Sequence, residues 1–237
     1  MSILIIPDIH EETEQLQKIL TKYNYISKKI SLGDWYDSYV KGEYNVDSVV
    51  ETSKMHLDFV ENPDHICLFG NHDMPYAFPG IYELSCSGHG GWKRMYIKVN
   101  WKKIKLFQWE TLNKKEWLLS HAGFHPCFAP ITKGNLTNLC NAALENLYGA
   151  KVDDILQAGE YRGGLHRWGG CTWHDFREFV PTPGVNQIVG HTHNPGIWQK
   201  HIDDSQNFCI DFKNENGQYL VHIAILEDDG TVHIECV

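Results

Sequence analysis

Five times along the chain a short apolar run gives way at once to Asp, Asn or His. Ile3 to Ile6 leads into Asp8-Ile9-His10, and Lys29-Ile30-Ser31-Leu32 into Gly33-Asp34. Ile66 to Phe69 leads into Gly70-Asn71-His72-Asp73, Trp117 to Leu119 into Ser120-His121-Ala122-Gly123, and Ile188-Val189 into Gly190-His191-Thr192-His193. Short apolar runs bounded by turn residues predict buried strands, and Gly33 is placed to end one and let the backbone turn sharply. Between the runs the period changes. Leu16, Ile19, Leu20 and Tyr23 recur at helical spacing behind Glu11 and Glu12, which favour a helix amino terminus. Val46, Val49, Val50, Leu57 and Val60 form the apolar face of a second helix, which Asn62-Pro63-Asp64 breaks. This β-α-β-α-β order predicts parallel strands with right-handed crossovers, whose carboxyl ends open on the crevice where α/β sheets bind ligands.

Farther on, Met95 to Leu119 reads as strand-rich, and Leu136 to Tyr148 as a helix with Leu136, Leu139, Cys140, Ala143 and Leu147 in its stripe. Residues 158–184, rich in glycine, aromatics and proline, read as an ordered loop or cap. Phe208 to Ile210, Tyr219 to Leu226 and Thr231 to Cys236 read as strands, the last two joined by Asp228-Asp229-Gly230, so a second sheet with antiparallel pairs is expected. At 237 residues the chain fits a single domain, 1–237, with a cap or substrate clamp at about 125–184.

Charge narrows the partners. A net −9 argues against an extended surface that tracks nucleic-acid phosphates, while leaving room for a local basic pocket. Seven cysteines without a CxxC pair read as reduced thiols of a cytoplasmic protein, and the chain has neither a leader pattern nor an apolar run of membrane-spanning length. The donors Asp8, His10, Asp34, Asn71, His121, His191 and His193 are oxygen and imidazole groups without a thiolate, which suits manganese, iron, zinc or magnesium better than a cysteine-rich zinc site. Seven donors exceed the needs of one tetrahedral ion and suit two ions about 3.5–4 Å apart sharing a carboxylate.

The series Asp-x-His, Gly-Asp-x-x-Asp, Gly-Asn-His-Asp, Ser-His-Ala-Gly and Gly-His-x-His, from Asp8 to His193, resembles the calcineurin-like metallophosphoesterases. Leu119 to Gly123 and Cys209-Ile210-Asp211 are most similar to the branch holding the serine/threonine phosphoprotein phosphatases and the bacterial diadenosine tetraphosphate hydrolases. The resemblance implies a four-layer α/β/β/α sandwich of two mixed sheets with a dinuclear centre at the strand ends. Asp8, His10 and His193 would hold the first divalent ion and Asn71, His121 and His191 the second, with Asp34 bridging. Manganese is the first choice for both, with iron, zinc, magnesium and nickel as alternatives. It also implies in-line attack on phosphorus by a hydroxide held between the ions, with His72, paired to Asp37, protonating the leaving oxygen; Asp73 stands behind the ligands. One departure is Ser38, where the phosphoprotein phosphatases carry a phosphate-gripping Arg. The candidates to replace it are Arg162, Arg167 and Arg177, with Arg177 nearest the family's Trp-containing segment, and Trp168, Trp173 and Phe176 either stack on a nucleobase or pack the cap. The expected activity is that of a phosphomonoesterase acting on a phosphoprotein or small phosphate. A nucleotide phosphodiesterase or dinucleoside polyphosphate hydrolase is the alternative, and a non-catalytic metal-binding scaffold is the reading from another class.

Overall fold

The computed structural model describes residues 1–38, 45–82, 91–193, 196–212 and 222–237. Its strands are β1 (Ile3–Ile6), β2 (Lys28–Ser31), β3 (His65–Cys67), β4 (Phe107–Leu112), β5 (Lys115–Ser120), β6 (Asn186–Val189), β7 (Trp198–Ile202), β8 (Ser205–Cys209), β9 (His222–Leu226) and β10 (Val232–Cys236). Its helices are α1 (Thr13–Lys22), α2 (Val46–Glu61), the single turn α3 (Met74–Ala77) and α4 (Lys133–Tyr148). The strands form two mixed sheets of five, ordered β10-β9-β1-β2-β3 and β4-β5-β6-β8-β7. Within them β1, β2 and β3 run parallel, as do β5, β6 and β8.

Alternation along β1 shows how the layers form. Ile3 and Ile5 face the other sheet and pack with Ile30, Leu32, Trp117, Leu119, Ile188 and Phe208. Leu4 and Ile6 face the other way, into a cluster with Leu16 and Ile19 of α1 and Phe59 and Val60 of α2. On the second sheet Leu118 joins Leu136, Cys140, Ala143 and Leu147 of α4. Strands buried on both faces lack polar alternation, which is why they read as continuous apolar runs. The outcome is the α/β/β/α sandwich.

Three details differ from the expectation. The strands β9 and β10 join the first sheet, β9 antiparallel to β1 and β10 antiparallel to β9, and only β8 enters the second; residues Tyr219 to Val221 of the expected strand that became β9 lie outside the described residues. β7 went unforeseen because its Gln199, Lys200 and His201 carry no apolar alternation, as an edge strand permits. On α2 the exposed residues include Val46 and Val50, while Ser48, Val49, Thr52, Ser53, His56, Phe59 and Val60 are buried. Its polar residues have work inside: Ser48 Oγ donates to Glu11 Oε2 at 2.9 Å, and Ser53 Oγ accepts the Lys98 N–H at 2.7 Å. Beyond α4, the segment around Phe176 and Phe179 packs on Val189 and Cys209, at the ends of β6 and β8. Among the described residues no helix is long and apolar enough to cross a membrane, and the described cysteines form no disulfide.

Candidate metal centre

The loops that follow the parallel strands are tied to one another before any ligand is considered. The Ile9 and His10 amides donate to the Asp34 carbonyl at 3.0 and 2.8 Å, and Glu11 N donates to Trp35 O at 3.0 Å. Within the second sheet Gly190 N donates to His121 O at 2.7 Å, and across the two sheets His191 N reaches both Asp8 oxygens at 3.2 Å. Asp73 is fully buried and accepts the amides of Gly70, Asp34 and Trp35 at 3.0, 2.8 and 2.9 Å, so it fastens the loop after β3 to the loop after β2. Strain collects here. His10, Glu11, Asp34, Asp37 and His191 all have positive φ, between 45° and 68°, a conformation that costs a non-glycine residue about 1–3 kcal/mol and persists only where surroundings enforce it. Close approach requires glycine at two points, since a Cβ on Gly70 would sit 2.0 Å from Asp34 Oδ1 and one on Gly190 would sit 2.3 Å from Asp8 Oδ1.

Two clusters of donor atoms result, Asp8–His10–Asp34 and Asp34–His121–His191, each with its atoms within 4.8 Å of one another and with Asp34 in both. His10 Nε2 lies 3.9 Å from Asp8 Oδ2 and 3.8 Å from Asp34 Oδ2, while His121 Nε2 lies 3.4 Å from Asp34 Oδ2, 2.9 Å from Asn71 Oδ1 and 3.1 Å from His191 Nδ1. Separations of this order are what two donors show when each sits about 2.0–2.2 Å from a shared ion. The backbone fixes the tautomers. His10 Nδ1 donates to the Tyr36 carbonyl and His121 Nδ1 to the Leu32 carbonyl, both at 3.0 Å, which leaves each Nε2 with its lone pair toward the cluster. Burial holds His10 and His191 well below the usual imidazole range and lowers His121 to about 3, so all three are neutral. Burial pushes Asp8 well up, with Asp211 and Asp34 repelling it further, and raises Asp34 to about 8. Neutral imidazoles beside carboxylates that burial makes reluctant to ionise are an arrangement that a cation resolves, because it stabilises the carboxylates and takes the lone pairs. The donor set therefore fits divalent metal.

Around the clusters is a cavity of about 270 Å³, open to solvent on one side and lined among others by His72, Arg162, Trp173 and His193. His72 N donates to Asp34 Oδ1 at 2.7 Å and His72 Nδ1 meets Asp37 Oδ2 at 2.9 Å, so the His72 ring is held by backbone and side chain together. Burial alone would raise Asp37, but the hydrogen bond and charge of His72, with Lys93, hold it well below the carboxylate range. Lys93 is buried and bridges Asp37 Oδ1 at 3.0 Å and Glu11 Oε1 at 2.7 Å; Tyr76 OH also donates to Asp37. His193 Nδ1 lies 2.7 Å from Asp211 Oδ2, which follows β8 as the other donors follow their strands. Neither partner was assigned a role from sequence. Asp211 does follow an apolar run, the signal the other donors share, whereas nothing around Lys93 marks it.

Of the three arginines, Arg162 lines the cavity, its Nη2 donating to Thr192 Oγ1 at 3.2 Å and its Nε 2.9 Å from Asp175 Oδ2. Arg177 is locked on Asp175 through Nε and Nη2 at 2.8 and 2.7 Å and lies over Tyr161, and Arg167 lies over Trp168. Neither lines the cavity. Phe176 is buried and Trp168 stacks on His125, so both pack, while Trp173 alone of the three aromatics reaches the cavity wall.

A family model described as calcineurin-like phosphoesterase matches residues 1–195. Among solved structures, the fold is similar to the cold-active protein-tyrosine phosphatase of a psychrophilic Shewanella species, at 14% identity and a TM-score of 0.54 over 98% of this chain and 80% of that one. It is also similar to a metallophosphoesterase from Sphaerobacter thermophilus, at 19% identity and a TM-score of 0.51 over 100% and 88% of the two chains. At these identities the likeness is one of fold. No curated protein matches the sequence.

Proposed function

Since the chain belongs to the calcineurin-like phosphoesterase family, whose members are metal-dependent phosphoester hydrolases, we propose that it is a phosphomonoesterase with a dinuclear centre bridged by Asp34. The observation that carries the reading is the pair of donor clusters with Asp34 common to both. Asp8, His10, Asp34 and His193 would hold one divalent ion and Asn71, His121, His191 and Asp34 the other, with manganese the first candidate for an oxygen and imidazole set. When bound, the two ions would neutralise charge on the phosphoryl oxygens and make a water acidic enough to act as nucleophile near neutral pH.

The remaining work belongs to the chain. The carboxylate of Asp37 accepts the Nδ1–H of His72, which orients the ring and stabilises its doubly protonated form; that form would give its Nε2 proton to the departing oxygen and be left neutral. The Arg162 guanidinium, steadied by Asp175 and Thr192 at the cavity wall, would grip a phosphate oxygen in place of the arginine replaced by Ser38. A cavity of this size with one arginine in its lining suits a terminal phosphate. A scaffold without turnover has no use for the His72–Asp37 pair.

Hydrolysis of para-nitrophenyl phosphate, its bis-ester and a dinucleoside tetraphosphate, each with manganese and with chelator, tests the proposal. Metal-dependent turnover greatest on the monoester is expected. Preference for the bis-ester or the polyphosphate transfers the assignment to a diesterase or polyphosphate hydrolase, and inertness on all three leaves the scaffold.

A further inference from the structure

A second cavity lies away from the metal centre, between β4 and α4, with a volume of about 440 Å³ against about 270 Å³ at the centre. Its lining contains apolar residues from both sides, Ile104 and Phe107 from the β4 side and Leu144 from α4. Lys102, Lys105 and Lys133 also line it, and no acidic residue does, in a chain whose 30 acidic residues outnumber its 21 basic ones. Phe107, Gln108 and Trp109 are consecutive residues of β4 and all line the cavity. Successive side chains of a strand point to opposite faces, so a cavity touching all three runs along the edge of the strand. That edge is open: β4 ends its sheet, with β5 as its strand partner among the described residues. The open edge begins at β4 itself, since the Lys105 backbone just before it is bonded to Cys67 O and Phe69 N; Lys102 and Lys105 precede the edge strand and Lys133 lies on the helix opposite, so the usual guarding of an edge by its own lysines explains none of the three.

We propose that this groove is a docking site for an extended acidic segment of a partner protein. The segment pairs its backbone with the open edge of β4, lays alternate apolar side chains against Ile104, Phe107 and Leu144, and sets its carboxylates against Lys102, Lys105 and Lys133. Unpaired N–H and C=O groups of an edge strand supply affinity, and the lysines select the sign of charge. The site is independent of the hydrolytic reading, since no residue of it lines the metal centre.

Selection from a random heptapeptide display library on the full chain, counter-selected on the Lys102→Glu/Lys105→Glu/Lys133→Glu variant, tests this directly. Enriched peptides are expected to alternate apolar and acidic residues. By fluorescence anisotropy they should bind the triple variant about tenfold more weakly or worse, and bind poorly when methylated on alternate backbone nitrogens. Unchanged melting temperature and unchanged para-nitrophenyl phosphate turnover in the triple variant show that it folds. If the variant fails to fold, Lys133→Glu alone, on the exposed start of α4, provides the comparison. No enrichment, enrichment of basic peptides, or equal binding to the variant overturns the proposal. So does tolerance of backbone methylation. Capture of a small anionic amphiphile such as octanoate with no peptide enriched gives the groove to a metabolite instead.

Discussion

His72 is gripped at Nδ1 by Asp37 and at its own amide by Asp34, and both contacts fix where its other nitrogen points. Replacing it by alanine removes a proton donor but none of the clustered metal donors. His72→Ala is therefore expected to keep its metal content while losing about 10²- to 10⁴-fold in kcat on alkyl phosphates, whose leaving oxygen needs the proton. Turnover of para-nitrophenyl phosphate, whose leaving group departs unaided, should fall far less. Parallel losses on both substrates would take the proton-transfer role from His72. Asp34 belongs to both donor clusters, so Asp34→Asn weakens both at once. Metal analysis of the purified variant should find at most one ion per chain. Two retained ions with full activity would leave no place for a bridge.

At the scale of the element, the site depends on loops pressed together, and Gly70 is where the pressure is greatest. A methyl group there would overlap Asp34 Oδ1 and lie 2.3 Å from Asp34 N, so Gly70→Ala must push the loop after β2 away. Overpacking of this kind costs about 1–3 kcal/mol, and the variant should lose metal occupancy together with a lowered unfolding midpoint. A normal metal content would show that the two loops separate without consequence. The segment between α4 and β6 has a different sensitivity. His174 is buried there between His125 and Phe179, and burial lowers it from 6.5 to about 3. The folded chain keeps it neutral where the unfolded chain takes a proton. Its contribution to stability is thus complete above pH 6.5 and drains away as the pH falls toward 3. In chelator-treated protein, His174→Phe should narrow the stability difference between pH 7 and pH 4 by up to about 3 kcal/mol. Identical pH profiles would mean that His174 already has a proton partner in the fold.

For the whole molecule, the candidate metal centre spans the two sheets, because Asp8, His10, Asp34 and Asn71 follow strands of one and His121 and His191 follow strands of the other. Ions held between them bind the folded chain and not the unfolded one. At free metal a hundredfold above its Kd, manganese should add about 2.7 kcal/mol. In a chain of this size that raises the melting temperature by about 5–10 °C over chelator-treated protein, and scanning calorimetry with and without manganese measures it. No shift would place the donors too far apart to share an ion. Much of this design is legible in the chain itself: five apolar runs, each closing on Asp, Asn or His, follow from strands buried on both faces and from loops that must turn at one edge, and periodicity places α1 and α4 close to where they lie. What periodicity does not contain is the pairing of elements distant in sequence. Only the tertiary structure carries β9 back to β1, turns the polar face of α2 inward to serve Glu11, places Lys93 beside Asp37, and selects Arg162 over Arg167 and Arg177 at the cavity. The physical reason is one of range. Burial and turning are written residue by residue in side-chain type, whereas which charges meet depends on distances that close only when the sheets have packed.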